Sequence, residues 1–369
     1  MIKTLALISA AAVLAGCANQ SERPEPTKLN KLDTNASLDV RWQVKLGGTP
    51  EDSARLYPAI QSDAVYAASG DVVMSIDAAS GQVNWAQDLD SNVTGATSVL
   101  GNRVYFADAQ GQVNAADTAT GQLDWQYAWG REMLLAPTPS ASGLLIRSTD
   151  NDLALLDLAG QLLWEREGVP AQLAYRGQAR PLAVDGGYIV ADDSGVLAAV
   201  LDTDGLDAWR RSLGASRDEL IDLDADPVLA ADQIIAAGAQ TGVRALNPQG
   251  GGVLWDTEVF SLAPLASDDQ RIYATDPDGQ IFAIDARNGE ILWRQPGLKF
   301  RFPSGPAVTD SGVYVADSLG AVHMLDAANG QFVARVTTSL TGTVSLTAFE
   351  QDVIAMDNSG RVVRIGLDN

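Results

Sequence analysis

Short apolar runs of four or five residues recur along this chain, each closed by a turn of Gly, Asp or Asn before the next begins. Runs of this length, rich in Val, Ile, Tyr and Ala and bounded by turn residues, predict short β-strands. Residues 57–89 show the unit. Tyr57-Pro-Ala-Ile60 is a first strand with small side chains, Val65-Tyr-Ala-Ala-Ser69 a second and Val72-Val-Met-Ser-Ile76 a third, and Val83-Asn-Trp85 opens a fourth. The second strand recurs as Val104-Tyr-Phe-Ala, Leu144-Leu-Ile-Arg, Tyr188-Ile-Val-Ala, Ile234-Ile-Ala-Ala, Ile272-Tyr-Ala-Thr, Val313-Tyr-Val-Ala and Val353-Ile-Ala-Met, which makes eight copies. The third recurs through Gln280-Ile-Phe-Ala-Ile284 and Ala321-Val-His-Met-Leu325 to Arg361-Val-Val-Arg-Ile365.

The turn into the fourth strand is the most regular part of the unit. Gly81–Trp85, Gly121–Trp125, Gly160–Trp164, Gly205–Trp209, Gly251–Trp255 and Gly289–Trp293 share one spacing, Gly330–Ala334 is a degenerate copy, and Trp42 stands alone upstream. Intervals of 43, 40, 39, 45, 46, 38 and 41 residues from Trp42 onward are the period of a four-stranded propeller blade. After Ala334 only three strands remain, whereas Arg41-Trp42-Gln-Val-Lys-Leu46 is a fourth strand with no preceding three. Pairing these ends predicts an all-β, eight-bladed propeller over residues 39–369. Closure of the ring removes the open blade edges that would invite aggregation.

Two sets of chemically suggestive residues are absorbed by this repeat. Asp77, Asp117, Asp157, Asp202, Asp285 and Asp326, with Asn247, recur at the turn. There an Asp or Asn side chain accepts backbone N–H bonds and Gly supplies the positive φ. Asp276-Pro-Asp-Gly279 lacks the remaining ligands of a calcium loop. Trp42, Trp85, Trp125, Trp164, Trp209, Trp255 and Trp293 fall one per blade, so they cannot converge on one ligand. They read as seam packing, each indole N–H seeking a backbone carbonyl, with Ala334 marking a weaker seam. Trp129 lies outside the register, and His323, the only histidine, sits inside a third strand.

The N-terminus carries a separate signal. Lys3 precedes an apolar run too short to span a membrane, which ends in Leu14-Ala-Gly-Cys17 and matches a bacterial lipoprotein signal. Residues 1–16 are thus expected to be removed and Cys17 lipidated. Residues 17–38, polar and Pro-interrupted, are expected to act as a flexible tether. Cys17 is the sole cysteine, so neither a disulfide nor a Cys-based metal site is available. The remaining chain has 24 basic and 47 acidic residues, a net of −23. That charge argues against nucleic acid and against electrostatic attachment to anionic lipid, leaving the lipid anchor as the only expected membrane contact.

Two intervals run long, at Glu165–Arg180 and Arg210–Asp226, with Leu46–Leu56 a third, polar and Gly-rich stretch. Long connections on adjacent blades of a rigid ring are where binding normally lives. The Asp-x-x-x-Gly-x-x-x-Trp repeats resemble those of the pyrroloquinoline-quinone (PQQ) dehydrogenase propellers. Together with the lipoprotein signal and the two long intervals, the chain resembles the BamB family, propeller lipoproteins of the outer-membrane β-barrel assembly (Bam) machinery. In that family one loop reads Leu-x-Leu-Arg-Gly and is associated with docking to the periplasmic POTRA domains of BamA. This chain has Leu173-Ala-Tyr-Arg-Gly177, matching at Leu173 and Arg176 and departing at Tyr175. The family's Asp-x-Asp ahead of the next blade is matched by Asp224-Ala-Asp226. The resemblance implies BamA docking through Leu173, Tyr175 and Arg176, with Asp224 and Asp226 either contacting the partner or bracing the loop. It also implies an outer-membrane lipoprotein facing the periplasm of a Gram-negative bacterium, serving unfolded β-barrel clients.

Three functions compete on the sequence. A non-enzymatic scaffold predicts an apolar–Arg patch at residues 173–176. A quinoprotein dehydrogenase would need calcium ligands, a catalytic Asp and larger insertions, none of which accompanies the repeat, so neither enzyme activity nor a cofactor is expected. A periplasmic propeller for a glycan or another envelope partner predicts aromatic clustering on one face.

Overall fold

Each apolar run becomes a strand, and four consecutive strands pair antiparallel into one blade. The computed structural model describes residues 24–47, 56–170, 179–214, 223–238 and 240–368. Among these are 32 strands in eight four-stranded sheets and no helix. Blades 1 to 7 are contiguous: 59–88, 98–128, 138–166, 182–212, 228–257, 266–295 and 307–337. Blade 8 takes three strands from 344–367 and its fourth from Leu38–Lys45. That fourth strand pairs with Arg361–Leu367, from Leu38 opposite Leu367 to Lys45 opposite Arg361, and closes the ring as the sequence predicts.

The core is a circle of seams between blades. One buried cluster joins Tyr314, Ala316 and Met324 of blade 7 to Val353, Ala355 and Val363 of blade 8. Another joins Ile354 and Met356 of blade 8 to Val65, Ala67 and Ile76 of blade 1. Second and third strands are apolar on both faces because each packs against a neighbouring blade on either side. The fourth strands alternate half-buried and exposed positions because only one face is covered.

The tryptophans bind these seams in a way the spacing alone hides. Each of the seven in-register indoles donates its N–H to a carbonyl in the third–fourth turn of the next blade, from Trp42 to Ala78 (2.8 Å) through Trp209 to Pro248 (2.7 Å) and Trp293 to Ala327 (3.0 Å). The ring lies flat on the glycine of that same turn. A Cβ on Gly81 would stand 2.6 Å from Trp42 Cγ, and Gly121, Gly160, Gly205, Gly251, Gly289 and Gly330 meet Trp85, Trp125, Trp164, Trp209, Trp255 and Trp293 in the same way. The glycine therefore serves both the turn, at φ near +74° in Gly81, and the close approach of an aromatic ring.

A one-residue bulge precedes the tryptophan in every fourth strand, between Val83 and Trp85 in blade 1 and between Val40 and Trp42 in blade 8. Blade 7 keeps it between Phe332 and Ala334. An extra residue on one strand bends it and re-aims the next side chain, here toward the adjoining blade. Ala334 is fully buried and faces the one blade without a third–fourth turn, because there the chain termini meet. Among the described residues no glycine platform receives a ring at that seam, so alanine is the fitting residue rather than a lost tryptophan.

Most of the turn carboxylates act as the sequence predicts: Asp77 Oδ1 accepts from Ser80 N (2.7 Å) and Asp326 Oδ1 from Ala328 N (2.7 Å). Asp202 departs from that role. The turn there is hinged by Leu201, whose N–H and carbonyl pair with Leu206 and Gly205, and the Asp202 carboxylate accepts instead from the Ser142 hydroxyl of blade 3.

Candidate partner-docking face

Antiparallel pairing puts the connection from each fourth strand to the next first strand at the same end of the ring as the second–third turns. The backbone joins them there: Trp129 N donates to Gly111 O (3.1 Å), Leu213 N to Gly195 O (2.9 Å) and Thr338 N to Gly320 O (2.7 Å). Both long connections emerge at this end. Leu173, Tyr175 and Arg176 lie outside the described residues, as do Cys17 and 48–55 of the third long stretch. The stems that carry residues 171–178 and 215–222 are described in full.

Those stems are clamped by polar side chains, most of them buried. Arg147, in the second strand of blade 3, donates to Ala179 O (3.2 Å) and to Asp193 Oδ1 (2.8 Å) and Asn151 Oδ1 (2.5 Å). Asn151 Nδ2 in turn donates to Val169 O (3.0 Å), so both sides of the first connection are fixed to blade 3. Arg244 of blade 5 donates to Leu213 O (2.5 Å) at the start of the second. Asp226, at the end of the second, accepts from Arg180 at the end of the first, from its backbone N (2.8 Å) and from its Nε (2.6 Å). The Arg180 guanidinium also stacks over the Tyr57 ring at 4.3 Å. Asp224 is 2% exposed and Asp226 7%, so both carboxylates lie beneath the surface.

The sequence reading did not single out Arg147, Asn151, Asp193, Arg244, Arg180 or Tyr57. Arg147 had a visible signal, being the one charged residue in eight copies of the second strand. The others had none: Asn151 reads as an ordinary turn residue, and the partners of the rest lie on another blade or connection. Trp129, left over by the repeat, is half-buried beside blade 3, with its N–H on Glu165 Oε1 (3.0 Å) and the Arg131 guanidinium 5.5 Å from its ring.

Two further features occupy this end. A cavity of about 500 Å3 is lined by residues entering blades 1, 6, 7 and 8, among them Tyr57, Phe302 and Ser345, and by Arg180. Phe302 is 69% exposed at its rim. Between blades 6 and 7 lies a polar cluster around His323, which is fully buried. Its Nε2 contacts Asp317 Oδ2 (3.0 Å), and its Nδ1 accepts from Arg335 Nε (2.9 Å). Arginine can only donate, so Nδ1 carries no proton and the ring is the neutral Nε2–H tautomer. Burial holds the His323 pKa below its ordinary value, and the charges of Arg335 and Arg301 add to that against the pull of Asp317. Burial works against ionisation of Asp317, but hydrogen bonds from His323 and Arg301 (Nε at 2.6 Å) outweigh it and hold the carboxyl at about 2. Among the described residues no group of three or more His, Cys, Asp or Glu is placed to hold a metal ion.

Eight four-stranded blades, with seven of the eight seams pinned by an indole on a glycine turn, define a β-propeller of the PQQ-repeat class. A family profile described as "Outer membrane protein assembly factor BamB" matches residues 34–167, 73–295 and 223–367, and the chain belongs to that family. A BamB from Yersinia pestis is 27% identical over 95% of both chains. The solved structure of BamB from Moraxella catarrhalis superposes with a TM-score of 0.80 at 22% identity, over 89% of this chain and 99% of that one. The quinohemoprotein alcohol dehydrogenase of Comamonas testosteroni shares the ring, with a TM-score of 0.71 at 12% identity over 89% of this chain and 76% of its own.

Proposed function

We propose that this protein is a non-enzymatic scaffold subunit of the outer-membrane β-barrel assembly machinery, docking on the periplasmic POTRA domains of BamA. Lipid on Cys17 holds it to the outer membrane, and the ring stands in the periplasm, assisting delivery and insertion of β-barrel precursors. Family membership supports the assembly role. The docking reading rests on one observation above others: two long connections at one end of the ring are tied together at their bases by Asp226 and Arg180. A clamped stem lowers the ordering cost of a binding loop, and preorganisation of that kind favours affinity. On this reading Leu173, Tyr175 and Arg176 contact the partner. Asp226 and buried Asp224 act from below, by holding the loops in place. The non-enzymatic reading is supported by the chemistry of the side chains: the only histidine has both ring nitrogens engaged inside a seam.

The test is site-specific photocrosslinking from positions 173, 175 and 176 in membranes of cells expressing the lipidated protein. Adducts with BamA are expected from all three, and Arg176→Glu is expected to abolish co-purification with BamA while leaving the melting temperature unchanged. A folded, lipidated protein that gives no BamA adduct would sink the docking assignment.

A further inference from the structure

The route of the N-terminal segment carries a consequence for how the ring meets the membrane. Leu38–Lys45 is a fourth strand, and fourth strands begin at the third–fourth-turn end of the ring. A chain running straight from Leu38 to a lipid anchor would therefore leave from the end opposite the long connections. Residues 24–37 instead fold back across the outer wall of blade 7. Asp368 N donates to Ser37 O (2.9 Å), and Thr34 Oγ1 to Val333 O (2.6 Å) at the start of blade 7's fourth strand. Farther along that strand, Arg335 donates to Asn30 O (3.2 Å). Leu29 packs on the cluster containing Trp293 and Leu298. Finally Thr27 donates from both N (3.0 Å) and Oγ1 (2.9 Å) to Lys299 O, and Arg301 donates to Thr27 O (3.2 Å). Lys299 and Arg301 belong to the connection between blades 6 and 7, at the long-connection end.

The seat for this segment is built into the fold. Arg301 and Arg335 are the two cations that engage the buried Asp317–His323 pair, and each gives a spare N–H to a backbone carbonyl of the segment. Their guanidiniums are positioned from inside the seam, so the segment meets a fixed pair of donors rather than two mobile surface side chains. A flexible leash would need none of these contacts.

We propose that the docked segment carries the lipid anchor to the long-connection end of the ring, at the seam of blades 6 and 7, so that this end faces the lipid surface. The inference rests on lipidation of Cys17 as proposed above. Nine residues lie between Cys17 and Thr27, ten Cα-to-Cα steps, a reach of at most about 35 Å even fully extended. The ring is about 20 Å thick for six-residue strands, so the choice of end decides which rim the bilayer can touch. The long connections flank blade 4, between two and three blades round the ring from the seat. Anchor and docking loops then share one end without competing for the same rim.

The test uses the full-length lipidated protein in vesicles bearing quencher-labelled headgroups, with single fluorophores at Leu319→Cys and Ala328→Cys. Both positions are exposed on blade 7, at its second–third and third–fourth turns respectively. Several-fold stronger quenching at 319 than at 328 is expected. Leu29→Asp, which removes the apolar contact of the segment, is expected to collapse that difference with the melting temperature unchanged. Equal quenching, or stronger quenching at 328, in protein that floats with the vesicles overturns the orientation alone. A difference that survives Leu29→Asp overturns the role of the segment. Protein that does not float at all removes the lipid anchor, and the orientation with it.

Discussion

Gly160 is four residues from Trp164 in the chain, yet the ring it touches is that of Trp125 in the preceding blade: a Cβ on Gly160 would stand 2.7 Å from Trp125 Cδ2. The repeat thus couples blades rather than marking a site within one. Gly81→Ala is expected to cost about 2–5 kcal/mol, combining positive-φ strain with displacement of the Trp42 ring. Gly101→Ala, also at positive φ but with open space around it, is expected to cost only the strain, about 1–3 kcal/mol. Urea unfolding of the two variants checks this; equal losses would remove ring contact as the reason for glycine.

Trp209 has its N–H on Pro248 O and its ring on Gly251. Trp209→Ala is expected to lose about 3–5 kcal/mol. Ala334→Trp is expected to destabilise as well, because blade 8 offers no turn to receive an indole. A rise in melting temperature for Ala334→Trp would restore the view of that seam as a degraded copy.

His323 gives the stability a pH signature. Its folded pKa lies below its unfolded value of about 6.5, so the unfolded chain binds the extra proton first. The contribution is complete above that value and is lost as pH falls toward the folded pKa, at no more than about 1.4 kcal/mol per pH unit. Asp317, held at about 2, keeps its own contribution until far lower pH. Because the chain has one histidine, a fall in melting temperature between pH 7.5 and 5.5 is expected for the native protein and a flatter profile for His323→Gln. Equal slopes would assign the effect to other groups.

Arg147 is 1% exposed and paired with Asp193 at 2.8 Å. Arg147→Met is expected to cost about 3–5 kcal/mol by removing one charged partner of a buried carboxylate, and the double variant Arg147→Met/Asp193→Leu to recover much of the loss. A calorimetric double-mutant cycle measures this. The single variant should also weaken BamA co-purification, through the lost tie to Ala179 O. Co-purification that survives the loss of this tie would separate the stem from docking.

The ring was legible in the sequence because a propeller repeats one local solution: strand lengths, Asp and Gly turns and the tryptophan interval are properties of contiguous residues. Eight blades and their closure follow from counting strands at the two ends. The stems of the two long connections were only partly legible. Leu173, Tyr175 and Arg176 came from resemblance, whereas Arg147, although a charge in an apolar strand, read only as part of that strand until its contact with Ala179 O placed it on a stem.

Contacts between residues distant in sequence were settled by the tertiary structure alone. It decided that each tryptophan serves the next blade, that Ala334 suits its seam, that Asp226 ties one long connection to the other through Arg180, and that residues 27–34 lie on blade 7. The physical reason is the same in each case. Sequence periodicity reports which face of a strand is apolar, but a bulge, a shared glycine platform and a buried Arg–Asp pair exist only once neighbouring blades are brought together.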